Sequence, residues 1–430
     1  MKGNLIVKHA AQLVTCSGAK AKQGREMADL GIIEDGAAVI ENGMITAVGR
    51  TDSILKDIDP SPFTVLNAAG HAVLPGFVDP HTHFVFGGYR AEEFSWRLQG
   101  TPYMEIMKRG GGIIRTVEAT RQASPAALRE SGRRRLDKML GYGVTTVEGK
   151  SGYGLDRETE IKQLKVMRDL DRDHPVDVVR TFLGAHAVPK EYKGREEDFL
   201  KMLMDTVLPE VADQGLAEFC DIFCEEKVFS VDQSRRFLAR ARDQGLNLKL
   251  HADEIVPFGG SELAAELRAV SADHLLQASD DGIRQMAEAG VTAVLLPGTA
   301  FSLKEPYARA RFIIDNGCAV ALATDLNPGS CFSGSIPLIF ALATLYMSMT
   351  PEEAVTAFTL NAAAAVGRAH EIGSIDVGKQ GDLVVLEFPS YQFIPYHIGV
   401  NTVEKVVKKG TLVVDRAGRK ASTRPGKTMD

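Results

Sequence analysis

Excess positive charge, paired cysteines and long apolar runs are all missing from this 430-residue sequence, and each absence removes a class of function. With 50 Lys and Arg against 56 Asp and Glu, the net charge is −6. No basic field exists to draw in nucleic acid or an anionic membrane. The one basic cluster, Arg133-Arg134-Arg135, is followed by Asp137 and reads as a solvated helix face. Five cysteines (Cys16, Cys220, Cys224, Cys318 and Cys331) form no C-x-x-C pair, which suits a reducing cytosol and argues against a disulfide scaffold. The most apolar stretch, Ser335 to Met349, falls short of the ~20 residues a membrane span needs and reads as a buried helix. Met1 to Cys16 carries no cationic region leading into a long apolar one, so no secretory signal is expected. The expectation is a soluble, cytoplasmic protein with a small-molecule substrate and no nucleic-acid or membrane partner.

What is present divides into two patterns. The two ends of the chain carry short β-type runs: Leu5-Ile6-Val7, Ala37–Ile40 and Met44–Val48 near the start, Asp382–Leu386 and Val406–Val414 near the finish. Glu41-Asn42-Gly43 is a hairpin signal between two of them. Neither end has enough strands for its own core, so both are expected to combine in one small β-sandwich, residues 1–71 with 373–430.

Residues 72–372 alternate differently. Eight apolar strand-like runs recur: Ala72–Asp79, Val144–Glu148, Val176–Leu183, Glu218–Phe223, Leu246–Leu250, Ala269–Ala272, Val291–Leu296 and Ala319–Ala323. Between them lie segments such as Ser234–Gly245 and Asp281–Gly290, apolar at helical spacing and closed by glycine. Repeated strand–helix units imply a parallel sheet, and a count of eight implies a (β/α)8 TIM-like barrel. An open sheet with the same strands is the alternative.

The reactive residues fall where those runs end. Asp79-Pro80-His81-Thr82-His83 follows the first, Lys150–Gly154 the second, and His186 the third; His251–Glu254 follows the fifth, Asp273-His274 the sixth, and Asp325–Gly329 the eighth. In a parallel barrel these ends open onto one face, the face that carries barrel active sites. His81 and His83, two apart at a strand end, project to the same side and can grip one ion. His251 and Asp325 complete a three-imidazole, one-carboxylate set suited to Zn2+ or iron. An ion there would activate water for attack on a carbonyl or amidine carbon. Glu254 is placed to shuttle a proton and His274 to stabilise charge on the attacked oxygen. The residues do not choose among Asp325, Glu254 and His274 as first proton acceptor. Other motifs fail: Gly149-Lys150-Ser151 would need Gly at 144 to be a phosphate loop, where Val stands. Gly110-Gly111-Gly112 has no dinucleotide fingerprint and reads as a flexible active-site loop. His9, His71, His174, His370 and His397 lie outside the strand mouths.

Asp79–His83 resembles the first-strand metal motif of the amidohydrolase superfamily. Longer segments resemble the imidazolonepropionases: Phe84–Arg90, Lys150–Leu155, Gly184–Ala187, Leu250–Glu254, Ser271–Leu275 and Ala323–Gly329. The similarity runs along nearly the whole chain. It implies hydrolysis of 4-imidazolone-5-propanoate to N-formimidoyl-L-glutamate in histidine degradation, by attack on the ring carbonyl carbon, and a homodimer. It implies one Zn2+ or Fe3+ per subunit on His81, His83, His251 and Asp325, and substrate contacts from Arg90, Tyr153, His186, Glu254, Asn327, Gly329 and Ser330. A propionate tail wants a permanently charged fork, which Arg90 supplies; Asn327 has an amide suited to a ring amide. Gly149 and Cys331-Phe332 depart from the expected pattern, the latter blurring the role of Ser330. Two-metal relatives carry a Lys after strand four; here none comes before Lys227, which favours a single ion. A ring deaminase is the rival enzyme reading, and a barrel that keeps the fold but not the ligands is the rival non-enzyme.

Overall fold

The structure is a computed structural model and describes residues 3–56, 58–101, 105 and 111–417. Gly110 and the C-terminal part of the second β-rich end (418–430) lie outside the described residues. Eight parallel strands follow one another in sequential order: Phe77–Asp79, Val144–Lys150, Asp177–Ala185, Phe219–Cys224, Asn247–Ala252, Ser271–His274, Thr292–Leu295 and Val320–Leu322. The ring is completed just beyond strands one and eight, where Thr82 bridges Leu326 in parallel. There Asp325 N–H donates to His81 O and His83 N–H to Leu326 O. A sheet whose first and last strands meet is a barrel, so the open-sheet alternative falls.

The helices follow from local signals. Helix Val231–Asp243 begins in a capping box, with Ser230 and Gln233 each satisfying the other's backbone N–H; such caps contribute about 1 kcal/mol. It buries Ser234, Phe237, Leu238 and Ala241 against the barrel, the i, i+3, i+4, i+7 stripe of an amphipathic helix. Burying Phe237 and Leu238 is worth roughly 1.5–3 kcal/mol each. Helix Asp280–Ala289 ends at Gly290, whose φ of +74° closes it in the left-handed conformation. The apolar stretch expected to be a buried helix is Ile336–Tyr346, buried along most of its length.

Among the described residues, the two ends of the chain meet in one hydrogen-bonded sheet of eight strands. It has its own apolar core, including Leu5, Val7, Leu13, Ile40, Val73, Val385 and Val407. Its hairpin Ile32–Glu41 to Met44–Arg50 turns at Asn42 (φ +51°) and Gly43 (φ +84°), two positive angles that match the twist of the flanking strands. The expected first run, Ala72–Asp79, divides between the two bodies. Ala72–Pro75 pairs with Gln12–Leu13 and Leu383–Val385 in the terminal sheet, and only Phe77–Asp79 enters the barrel. Gly76 sits at the joint, where a Cβ would come within 2.3 Å of Thr145 Oγ1. We therefore propose Gly76, rather than the step from 71 to 72, as the domain boundary.

The arginine run also behaves differently from expectation. Arg133 and Arg134 are exposed and pair with Glu130, and Arg133 also with Asp137. Arg135 instead turns inward: it is buried, lies over the Phe86 ring at 3.7 Å and donates to Phe84 O at 2.7 Å. A guanidinium stacked on an aromatic face while bonding a carbonyl retains both its contacts out of water. It braces the loop between the first strand and Arg90.

Candidate active site

One cavity of about 610 Å3 opens at the C-terminal ends of the barrel strands. Of the twelve residues singled out in the sequence, eleven line it: His83, Arg90, Tyr153, His186, His251, Glu254, His274, Asp325, Asn327, Gly329 and Ser330. His81 lies fully buried beneath. None of His9, His71, His174, His370 or His397 lines this cavity. Several backbone angles here are costly. Asp253 (φ +49°), His274 (φ +79°), Leu275 (φ +59°) and Asp325 (φ +49°) all hold left-handed conformations without being glycine, the kind of strain that concentrates at functional sites.

The floor is a cluster of imidazoles. The ring centre of His81 lies 4.6 Å from that of His251, 5.3 Å from His83 and 5.4 Å from His274. Asp325 Oδ1 lies 3.6 Å from His81 Nε2 and 3.8 Å from His83 Nε2. Buried nitrogens His81 Nε2 and His251 Nε2 have no hydrogen-bond partner, a costly arrangement for polar atoms out of water unless something coordinates them. Behind them, His81 Nδ1 hydrogen-bonds Asp273 Oδ2 at 2.6 Å, whereas His251 Nδ1 faces Asp221 Oδ2 at 3.0 Å as an ion-pair contact without hydrogen-bond alignment. The carboxylate behind His81 fixes its ring and tautomer so that Nε2 presents its lone pair, and Asp221 orients His251 by charge. Burial and then neighbouring positive groups hold His81 and His83 well below the usual imidazole range, so both are neutral, as ligands must be. Among the described residues three ligand groupings are compact enough to hold a cation: His81 with His83 and Asp325, His81 with His251 and His274, and His83 with His186 and His251. His81, His83, His251 and Asp325 thus fit a metal by donor chemistry, and the unpartnered Nε2 atoms of His81 and His251 support that fit.

The walls carry the remaining groups. Burial, then the charge of Asp325, pushes Glu254 up to about 8. It stands 3.5 Å from His274 Nδ1, which burial keeps uncharged. Burial raises Asp325 to about 6, while the Thr299 hydroxyl, donating to Oδ2 at 2.5 Å, acts against the rise. Tyr153 sits on a loop shaped by Glu160, whose carboxylate accepts the N–H groups of Gly152, Gly154 and Leu155 at 2.8–3.0 Å. Its phenol is buried and held protonated by that burial. His186 Nδ1 lies 3.0 Å from Gly152 O, and its ring stacks on His83. Arg90 donates from Nε to Glu93 at 2.9 Å and lies directly over Gly329, where a Cβ would come within 2.3 Å of Nη1.

Asn327 does not offer the free amide expected of it. Its NH2 donates to Asp325 O and to Ser330 Oγ, both at 2.7 Å. Its carbonyl accepts the N–H groups of Gly329 and Ser330 at 2.8 Å. All four hydrogen-bonding positions are spent within the loop, so Asn327 shapes it and Ser330 is fixed by the same bonds. The glycine pair Gly111-Gly112, read as part of a flexible loop, has Gly112 (φ +80°) at the start of helix Ile113–Gln122 with its N–H on Glu93.

Sequence reasoning missed the groups behind the site. Asp221, Glu148 and Lys249 were passed over, and Lys150 and Asp273 stood at strand ends without a role; all five are fully buried in the barrel interior. A signal existed: Asp221 is the one charge in the apolar strand Phe219–Cys224, and a buried charge requires a partner. Arg97, also in the cavity wall, carried no such signal.

A parallel barrel whose strand ends gather imidazoles and a carboxylate beneath one cavity has the build of a metal-dependent hydrolase of the amidohydrolase kind. Comparison with known proteins narrows this. Residues 103–414 match the model of the amidohydrolase family. A Clostridium tetani protein named imidazolonepropionase is 59% identical over 416 residues, covering 97% of this chain and 99% of its own. A Parabacteroides distasonis protein of the same name is 60% identical over 408 residues, covering 95% and 98%. The chain belongs to the imidazolonepropionase family of amidohydrolases. Among solved structures, a zinc-bound adenosine deaminase from Xanthomonas campestris superposes with a TM-score of 0.68 at 19% identity, covering 96% of this chain and 93% of its own. A Xaa-Pro dipeptidase reaches 0.69 at 15%, covering 96% and 100%. At such identities these two speak for the fold alone.

Proposed function

We propose that this protein hydrolyses the ring of 4-imidazolone-5-propanoate to N-formimidoyl-L-glutamate, a step of histidine degradation, using one Zn2+ or Fe3+ held by His81, His83, His251 and Asp325. The near-complete match to imidazolonepropionases at about 60% identity carries this reading. The cavity supports it by placing the guanidinium of Arg90 and the imidazole cluster around one space. When bound, the ion supplies Lewis acidity toward water and the ring carbonyl. The chain's residues do the rest. Arg90 pairs with the propionate carboxylate, and Glu93 and Gly329 fix where its fork can lie. Tyr153 and His186 line the side of the ring and present an un-ionised phenol and imidazole. Asp325, held by Thr299, accepts a proton from water, and Glu254 returns one to the departing ring nitrogen. Burial of Glu254 favours its protonated form, the form able to return a proton. His274 donates toward the oxygen on which charge develops.

A cytoplasmic location and a homodimer belong to the same proposal. No helix among the described residues is long and apolar enough to cross a membrane, and the five cysteines are buried and unpaired, consistent with a reducing compartment. Sedimentation of the purified protein tests the dimer. The activity is tested by following imidazolone absorbance together with ammonia. Loss of absorbance without ammonia is expected. Stoichiometric ammonia release would instead identify a deaminase.

A further inference from the structure

Beneath the imidazole cluster lies a closed set of charges that the proposed reaction leaves unused. Lys150, the last residue of the second strand, reaches three carboxylates from a fully buried position. Its Nζ is 2.8 Å from Asp221 Oδ2, 3.1 Å from Asp273 Oδ2 and 3.1 Å from Glu148 Oε1. Burial works against that charge, but the surrounding carboxylates hold it firmly as an ammonium. Two of the three are the carboxylates already described behind the imidazoles. Asp221 faces His251 Nδ1 at 3.0 Å and Asp273 faces His81 Nδ1 at 2.6 Å. The same Asp273 Oδ2 that touches His81 also touches Lys150, and the same holds for Asp221 Oδ2 between His251 and Lys150. One ammonium therefore sits at the common root of two imidazole–carboxylate pairs that come from different strands.

A second buried lysine makes the assignment specific. Lys249 is equally buried and carries the same charge into the same interior. Its Nζ bonds Glu148 Oε2 at 2.8 Å, and Glu148 accepts from Thr181 and from Lys150 itself rather than from an imidazole. Lys249 and Lys150 thus match in burial and share Glu148, but only Lys150 contacts the two carboxylates that face imidazoles.

We propose that Lys150 is the positioning residue of the metal site: by clamping Asp221 and Asp273 together it aims His251 and His81 at one point. This rests on the four-residue metal site proposed above. Without the ammonium, two carboxylates from strands four and six, on either side of strand five, face each other with no ammonium between them. They separate or share a proton, and each releases its imidazole. The competing effect has the opposite sign. Deleting a positive charge below the site makes the site more negative, which alone would draw a cation in more strongly. The direction of the change therefore separates aiming from plain electrostatics.

The test uses the full chain stripped by a chelator, with Co2+ as the probe. Affinity is measured by competition with a chromophoric chelator, and ligand geometry by visible absorption. Lys150→Met is expected to bind Co2+ roughly ten- to a hundredfold more weakly, with an altered band. Lys249→Met should stay within about threefold of wild type, below that range. Unchanged or tighter binding by Lys150→Met, or equal weakening by both variants, overturns the proposal. Should circular dichroism show Lys150→Met unfolded, Asp273→Asn takes its place, since it cuts one of the two links and keeps the lysine paired. Weaker binding with a changed spectrum is then expected, and wild-type Co2+ binding by Asp273→Asn overturns the inference. A wild-type chain that takes up no Co2+ removes the metal site and this inference together. Normal wild-type uptake with an unaffected Lys150→Met removes this inference alone.

Discussion

Gly329→Ala tests the substrate-binding account without touching a charged residue. A methyl group there would lie 2.3 Å from Arg90 Nη1 and 2.8 Å from its Cζ, so the guanidinium must retreat by about 1 Å to reach ordinary contact distance. Gly329 does not require a positive φ, so the backbone tolerates alanine, and the group in the way is the end of a flexible side chain. The stability cost should be about 1 kcal/mol, the low end for overpacking. Binding should suffer more. A charged hydrogen bond to carboxylate is worth roughly 1.5–3 kcal/mol, and each ~1.4 kcal/mol is a factor of ten, so KM should rise roughly ten- to hundredfold. Arg90→Ala should give a rise of the same size. Because both remove one contact, the double variant should resemble Arg90→Ala rather than the product of the two. Steady-state kinetics on the four proteins, with a chemical melt of each, measures this. A Gly329→Ala enzyme with wild-type KM, or full additivity in the double variant, would refute the link between Gly329, Arg90 and the carboxylate.

His251→Ala should abolish turnover and lower bound metal while the circular dichroism spectrum is retained, because the residue sits at a strand mouth; near-normal activity would remove it from the ligand set. Glu254→Gln should lower kcat by ~100-fold or more with metal content unchanged, since the amide keeps the shape and loses the proton. Asp177 ties barrel strand three to the terminal sheet through Lys408 at 2.8 Å and Lys409 at 3.0 Å. Burial opposes its charge, yet Lys408 and its other partners hold the carboxyl below its ordinary 3.8. Its stabilisation is therefore present above pH 3.8 and disappears as pH falls through the lower, folded-state value. Asp177→Asn should cost about 1–2 kcal/mol at neutral pH, discounted for partial exposure. The gap should close as pH drops below about 3.8, read from urea midpoints; a gap independent of pH would show that the ion pair contributes nothing.

The parts of the molecule that were legible in the sequence are those written in local pattern. The apolar runs marked all eight barrel strands, and His81, His83, His251 and Asp325 stood out because each lies at a run's end. The division of Ala72–Asp79 was illegible because its two halves are equally apolar, and only partners some sixty and three hundred residues away decide which sheet each joins. Arg135 looked solvated because it adjoins two arginines that are; its inward turn depends on Phe86, 49 residues earlier. The internal charges were hidden for the same reason. Lys150 and Asp221 are 71 residues apart, and His81 and Asp273 are 192 apart. Asn327 had the right chemistry for substrate, but its loop consumes that chemistry first.

The central claim is that one ion on four named ligands opens the imidazolone ring. Titrating Zn2+ or Fe3+ into chelator-stripped protein, while following imidazolone absorbance and ammonia, tests it most directly. Activity should return in proportion to added ion and level off at one ion per chain, with no ammonia formed and with His251→Ala inactive throughout. Full activity in the stripped protein, a plateau only at two ions per chain, or ammonia released with each turnover would contradict it.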